Sequence, residues 1–393
     1  MKEVLKKSFV LFISIFFTGM WLGANTASGE MSNYELEQEI MELKEKLHEQ
    51  DGILDKAEIF KELSERVSIS GAIEIEAFTA KNYDSDSESD IALATVELGF
   101  DVQIAEWVSG HVLLLWEEDD TEEVVVDEGT ITLGNTEKCP FYLTAGKLYV
   151  PFGVFESNMI QDPLTLEIGE TRESAVQVGV EMSGFYGSIY VFNGDISEKN
   201  DTDKVECYGA NIGYGFENDE MGFDIGVDWI NNIADSDGLT DAVSGSWLPV
   251  YGILGIRGEE EIEDYVEGVS AHLILNFGPV MLIGEYLGAC DDFEDNELEF
   301  NGDGAQPEAW NIEVAFAAEI AGKETVFALG YQGTDEALAL ELPEERYMAA
   351  VSVGIIANTC LTLEYLHDKD YDESDGGTDD DADVLTAQLA IEF

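Results

Sequence analysis

From Val67 to the last residue, apolar and polar positions alternate with a period of two, and clusters of Gly, Asn, Asp and Ser interrupt the pattern. Val67, Ile69, Ile73 and Ile75 share one face, and Ser68, Ser70, Glu74 and Glu76 the other. Ala94, Val96, Leu98, Phe100, Val102 and Ile104 alternate with Thr95, Glu97, Asp101 and Gln103. The same rhythm returns around Val176–Met182, Phe223–Trp229, Trp310–Phe316 and Leu361–Tyr365, and ends in Leu385–Phe393. A period of two is the signature of β-strands with one apolar face.

Two features favour an apolar-out, polar-in arrangement over a soluble sandwich. The segments run about ten residues, enough for a tilted strand to cross a bilayer. The connections also alternate between short and long. Ser183-Gly184, Asn218-Asp219, Gly278-Pro279, Ala321-Gly322 and Ala357-Asn358 are tight turns, and long polar loops are expected over 81–89, 151–172, 195–203, 234–261, 291–306, 334–344 and 370–381. Short turns at one rim and long loops at the other mark transmembrane barrels. Upward strands are predicted near 67–80, 107–118, 141–150, 185–194, 221–233, 279–290, 323–333 and 359–369. Downward strands fall near 90–105, 122–134, 173–182, 204–217, 262–276, 307–320, 345–357 and 382–393. The fold class is thus all-β, an antiparallel barrel of about sixteen strands, a size that encloses an aqueous channel. Phe393, the last residue, falls on the lipid-facing parity. Trp107, Tyr142, Tyr186, Tyr214, Trp229, Tyr286 and Trp310 lie near strand ends, as interfacial girdles require.

The N-terminal part follows other periods. Lys2, Lys6 and Lys7 precede an apolar run from Ser8 to Trp21 and small residues at Gly23, Ala24, Ala27, Ser28 and Gly29. That is the layout of a secretory signal peptide, assigned to residues 1–28. Leu36, Ile40, Leu43, Leu47, Leu54 and Ala57 then follow a 4-3 spacing, with Gln50 in one core slot and Gly52 weakening the middle. A periplasmic coiled coil over 31–64 is expected, able to join the barrel of 67–393 into a homotrimer. The alternative is a single amphipathic helix packed on the barrel.

Charge changes the picture of the lumen. The 393 residues carry a net charge of -66, and residues 67–393 hold only 10 of the 18 basic residues but 71 of the 84 acidic ones. Such a field repels nucleic acid. Disorder, the usual reading of such acidity, conflicts with a chain that is 45% hydrophobic. Adaptation to a saline habitat remains an open explanation. With the apolar parity outward, Glu74, Glu76, Glu97, Asp101, Glu173, Glu181, Asp224, Asp228, Glu285, Glu313, Glu319, Glu364 and Glu392 point into the barrel. Carboxylate-lined pores favour cations. Lys147 receives lumenal parity because Leu148 and Val150 are placed on the lipid side, and Arg172 closes the long loop before the next strand. Each is either a contact for a solute or local charge balance.

The remaining chemistry is mostly negative. The sequence has no GxSxG, HExxH or phosphate loop, and its His residues are scattered, so neither an enzyme nor a bound cofactor is expected. Cys139, Cys207, Cys290 and Cys360 form no CxxC pair and are predicted to be free, buried thiols. Asp368, Asp370 and Asp372, like Asp84, Asp86 and Glu88, have the odd-position spacing of a calcium loop. Glu373 stands where such a loop needs Gly, and no Glu follows at the twelfth position. A solvated charge run fits better, and no metal site is assigned.

The segment Tyr142–Gly179, YLTAGKLYVPFGVFESNMIQDPLTLEIGETRESAVQVG, resembles the hallmark stretch of the LbtU-family siderophore porins, in which a similar strand, PFG turn, long loop and next strand occur in this order. The resemblance covers about a tenth of the chain. It implies an outer-membrane route for an iron-siderophore without a plug domain. The residues alone leave two other functions open: a general cation-selective porin, and an envelope-tethering structural protein. The predicted partners are the lipid bilayer and a small solute, a ferric siderophore among them. The two longest loops, 151–172 and 234–261, are rich in apolar residues and are predicted to fold inward and narrow the pore.

Overall fold

The computed structural model describes residues 66–118, 123–199, 204–218, 220–243 and 261–393, together with the isolated Met41. The predicted signal peptide and, apart from Met41, the predicted coiled coil lie outside the described residues. The barrel, from Arg66 to Phe393, is one compact unit.

Sixteen strands close on themselves in sequence order. They are β1 Val67–Lys81, β2 Ser87–Ala105, β3 Val108–Glu117, β4 Val125–Asn135, β5 Cys139–Tyr149, β6 Arg172–Met182, β7 Phe185–Asn193 and β8 Cys207–Glu217. They continue with β9 Met221–Ile230, β10 Gly268–Phe277, β11 Val280–Ala289, β12 Glu308–Ile320, β13 Lys323–Asp335, β14 Glu345–Ile356, β15 Thr359–Lys369 and β16 Asp381–Glu392. Every neighbour is antiparallel, and β1 pairs with β16 to close the wall. Closure leaves no unpaired strand edge, which a bilayer would not tolerate.

All sixteen expected strands are present. The largest boundary shift is at β10, expected from 262 but starting at Gly268, because Glu261 and Ile262 pair instead with Ser197 and Glu198. One rim carries tight turns and the other the long connections. At Ser183-Gly184 and Ala321-Gly322 both turn residues have positive φ, the handedness that matches the twist of two paired strands.

The outer surface is apolar. Ile69 is 57% exposed, Ile212 65% and Leu329 60%, and exposed Val, Leu, Ile and Phe recur on every barrel strand's outer face. A belt of this extent suits hydrocarbon rather than water. Among the expected girdle aromatics, Trp107 and Tyr286 are exposed, Tyr214 stacks with Phe185 and Phe223, and Trp229 stacks with Tyr208. Trp310 lies against Gly333. Tyr142 and Tyr186 do not belong to the girdle. Their hydroxyls bond Gln177 and Asp224, so they sit on the polar face.

The lumen is not a uniform aqueous tube. Leu148, Val150, Phe152, Ile168, Tyr190, Phe192, Ile230, Ile233, Leu239 and Leu287 form one buried apolar cluster. The connection after β5 enters the barrel, forms the short helix α1 (Leu164–Gly169) and returns to β6. The described part of the connection after β9 forms α2 (Asp237–Val243), which packs on α1; the Asp237 amide donates to the Glu170 carbonyl at 2.8 Å. The first long loop therefore folds inward as expected. Residues 244–260 of the second lie outside the described residues.

The four cysteines are free, but only Cys207 is buried, while Cys139 and Cys360 are half-buried and Cys290 is exposed.

Candidate functional site: a constriction held by carboxylates

A loop lying inside a barrel has no strand to satisfy its backbone N–H groups, and an unpaired buried amide is costly. Here carboxylates of the wall accept them. The Gly153 amide donates to Asp228 Oδ2 of β9 at 3.1 Å. Those of Val154 and Phe155 donate to Glu285 of β11 at 2.7 and 3.2 Å, and Thr165 Oγ1 donates to the same carboxylate at 2.7 Å. Glu313 of β12 accepts Ser157 Oγ at 2.9 Å, the Asn158 amide at 3.0 Å and Asn158 Nδ2 at 2.6 Å. Glu364 of β15 accepts the Ile160 amide at 2.5 Å and the Gln161 amide at 3.3 Å. Gln332 of β13 accepts the Leu164 amide at 3.0 Å. The loop thus travels along the inner wall from β5 to β15 and back. Bonds to ionised acceptors are roughly twice as strong as neutral ones. Gly153 and Phe155 adopt positive φ at the bend that brings consecutive amides onto these acids.

The predicted lumenal acids therefore divide. Asp228, Glu285, Glu313 and Glu364 are on the inner face but are buried loop anchors rather than a charged pore lining. Asp101 bonds His111 Nδ1 at 2.8 Å. Asp224 takes Tyr186 Oη at 2.6 Å and His272 Nε2 at 2.8 Å. Glu181 lines a vestibule of about 690 Å³ at the tight-turn rim, with Tyr142, Thr144 and Thr132. Glu173 is half-buried and Glu319 is exposed near the end of β12. In the stretch with calcium-loop spacing, Arg346 binds Asp368 through two bonds of 2.8 and 2.9 Å, and Asp370 accepts the Thr378 amide and hydroxyl.

Glu74, Glu76, Glu97 and Glu392 come together. They line a cavity of about 690 Å³ between the β1–β4 wall and the tip of the loop. Sequence reasoning missed Glu117 and Asp127 on the wall and Asp162 and Glu170 on the loop, all of which line it as well. Asp127 was hidden by a register shift between Leu113 and Leu114, which displaces the two-residue parity of β4 against β3. The described lining contains no Lys or Arg. A second cavity of about 410 Å³ shares Glu76, Thr95, Glu117 and Gln161 with the first and extends along β1, β2, β15 and β16 toward the long-loop rim. The two together trace a passage on the side of the barrel that the loop leaves free.

The two predicted cations fare differently. Leu148 and Val150, placed on the lipid side, are buried inside with Phe152 and Ile168. The argument that gave Lys147 lumenal parity therefore fails, although its charge, with that of Arg172, is felt by Asp237. Arg172 is an ion-pair partner of Asp127, whose two oxygens also accept Tyr149 Oη at 3.2 Å. Charge balance, not a free contact for an anion, is what the geometry gives Arg172.

Burial pushes Glu170 up to about 7, with the negative charges of Asp237, Asp162 and Asp127 acting in the same direction and Arg172 opposing them. A carboxylate raised in this way is neutral below that pH and charged above it. The constriction should gain negative charge as pH rises from 6 to 8, and cation preference in planar bilayers should rise with it. Glu170→Gln should flatten that step; an equally steep step in the variant would assign it to another group.

No family model matches the chain. It is similar to a UPF0422 protein of Coxiella burnetii, with 30% identity over 313 residues that make up 78% of this chain and 65% of that protein. It is also similar to a UPF0422 protein of Legionella pneumophila subsp. pneumophila, with 29% identity over 358 residues, 83% of this chain and 66% of the relative. The chain spans just under two thirds of the length of these relatives. Solved structures with the same fold are the anion-selective porin from Comamonas acidovorans (TM-score 0.56, 12% identity, 83% of this chain and 99% of that one) and the outer membrane channel DcaP of Acinetobacter baumannii (0.55, 12%, 83% and 97%). OprB of Pseudomonas putida is a third, with TM-score 0.56, 10% identity and coverage of 84% and 95%. The fold is that of the porin-type barrels. At such identities the likeness carries the fold alone.

Proposed function

We propose that this protein is an outer-membrane pore through which small cationic or neutral solutes pass along the acidic side of the constriction. The observation that carries the reading is the passage itself: wall and loop carboxylates face one another, the described lining of the larger cavity holds no Lys or Arg, and Arg346 in the smaller one is paired with Asp368. Rings of Asp and Glu concentrate cations and exclude anions. The barrel's apolar belt and closed wall support a position in a bilayer.

In planar bilayers under a salt gradient, the reversal potential should report preference for potassium over chloride, weakening as screening shortens the Debye length to about 3 Å at 1 M salt. The triple variant Glu74→Gln, Glu97→Gln, Asp162→Asn should lose most of that preference while the protein keeps its heat-modifiable band on gels. Chloride preference in the unmodified protein at low salt sinks the reading.

Uptake of an iron-siderophore is the second reading. What supports it is that the segment resembling the siderophore porins, Tyr142–Gly179, is the one that builds the constriction. With Arg172 bound to Asp127, the passage suits a neutral or cationic chelate better than an anionic one. Growth of a deletion strain under iron limitation separates the readings. A defect confined to iron limitation supports siderophore uptake, and a uniform loss of small-solute entry supports the general pore. The trimer and the tethering role rest on residues outside the described part.

A further inference from the structure

The passage has a second chemical character that its charge does not explain. Along β3 the lumenal positions are His111, Leu113, Leu115 and Glu117, because Val112 is exposed on the outer face and Asp101 and Glu97 pair with His111 and Leu115 across the ladder. Many inward apolar side chains are buried beneath the loop; Leu113 and Leu115 instead line the open cavity, as Phe78 and Val384 line its smaller neighbour. Ile160 and Leu166 of the loop line the same cavity. On α1, Leu164 and Ile168 are buried against the wall, so Leu166 is turned away from that packing and remains half-exposed. Leucines facing water at polar-parity positions break the barrel's binary pattern, and breaks of this kind concentrate at functional sites. The acids Glu74, Glu76 and Glu97 line the same space from β1 and β2.

We infer that the solute class of this passage is the organic cation with an aliphatic body, such as a primary amine or an α,ω-diamine. The inference rests on the pore reading above and narrows it. The ammonium group is drawn to the carboxylates of β1 and β2. The methylenes slide over Leu113, Leu115, Ile160 and Leu166, where they shed water at little cost to any polar group. An inorganic cation uses only the first set of contacts. A neutral sugar uses neither well. A chain of methylenes between two ammonium groups uses both, and it should dwell longer as its length increases.

The experiment measures, at pH 7, block of potassium current through single channels of the full chain by a series of α,ω-diamines from 1,4-diaminobutane to 1,8-diaminooctane, in which the two ammonium groups are far enough apart for both to stay protonated. All carry the same charge, so length isolates the aliphatic wall. The half-blocking concentration should fall by about twofold or more per added methylene, a partial share of the full transfer of a methylene from water. Leu113→Ser with Leu115→Ser should abolish the length dependence while leaving potassium-over-chloride preference intact. Glu74→Gln with Glu97→Gln should weaken block by every member equally. A length dependence absent in the unmodified protein, or unchanged in the double Ser variant, overturns the inference and leaves the cation pore standing. Chloride preference, or a closed barrel without conductance, overturns both. Migration of the folded barrel on unheated gels shows that each variant has assembled.

Discussion

Deletion of residues 154–168 should raise single-channel conductance several-fold and remove most selectivity among solutes of different size. The segment removed carries α1 up to Ile168 and the amides held by Glu285, Glu313 and Glu364, so the wall remains while most of the first loop is gone. The barrel itself does not depend on the segment for closure, because every strand is bonded on both sides to other strands. A subtler version leaves the loop in place and removes its anchors. In Glu285→Ala with Glu313→Ala, the amides of Val154, Phe155 and Asn158 and the hydroxyls of Ser157 and Thr165 lose their acceptors. Each such loss costs about 1–3 kcal/mol when the donor stays buried, so the loop should leave the wall for water. The open channel should then flicker between a wide and a narrow state. Gln at the same positions should rescue only in part, since its side chain offers one acceptor oxygen where the carboxylate offers two. A deletion variant with unchanged conductance would place the loop away from the conducting path. Leu148, Val150, Phe152 and Leu287 lose neighbours in the deletion, and a lowered unfolding temperature is expected alongside the larger conductance.

How much of this was legible beforehand depends on the range of the interaction. Strand positions follow from alternation, which is local, and all sixteen could be placed from it. The inward turn of the first loop was legible too, because Phe152, Leu164 and Ile168 cannot rest in water at no cost. What could not be read is which carboxylate meets which amide. Glu313 and Asn158 lie 155 residues apart, and only closure of the barrel brings β12 beside a loop that leaves β5. Parity alone treats Glu313, buried under the loop, and Glu97, facing the passage, as equivalent. The two differ because the loop covers one side of the lumen and leaves the other free. Parity also fails at bulges: the shift between Leu113 and Leu114 conceals Asp127, and the apolar run Leu148-Tyr149-Val150 gives no local sign that its packing partners are inside.

Replacing Asp127 with Ala should have the largest effect of any single wall substitution, and on two measurements at once. Asp127 is almost wholly buried, and it balances the Arg172 guanidinium while accepting the Tyr149 hydroxyl. Removing one partner of such a pair leaves a charge with less water than it needs, at a cost of about 3–5 kcal/mol when the site is closed. The lower end applies here, because the Arg172 side chain keeps 25% of its surface accessible. The midpoint of unfolding in denaturant should fall accordingly. The passage should also change sign locally: a lining carboxylate is lost, and the freed guanidinium faces a cavity in which Glu170 is partly neutral near pH 7. Cation preference should drop further than the loss of one acid alone gives, and Asp127→Ala with Arg172→Met should restore part of it. If the single variant unfolds at the unmodified midpoint and keeps its reversal potential, Arg172 has found another acceptor, Glu170 or Asp237, both of which lie within reach of its field. In that case the double variant, which removes the guanidinium altogether, should be the less stable of the two, the reverse of the order expected when Asp127 is the partner that matters.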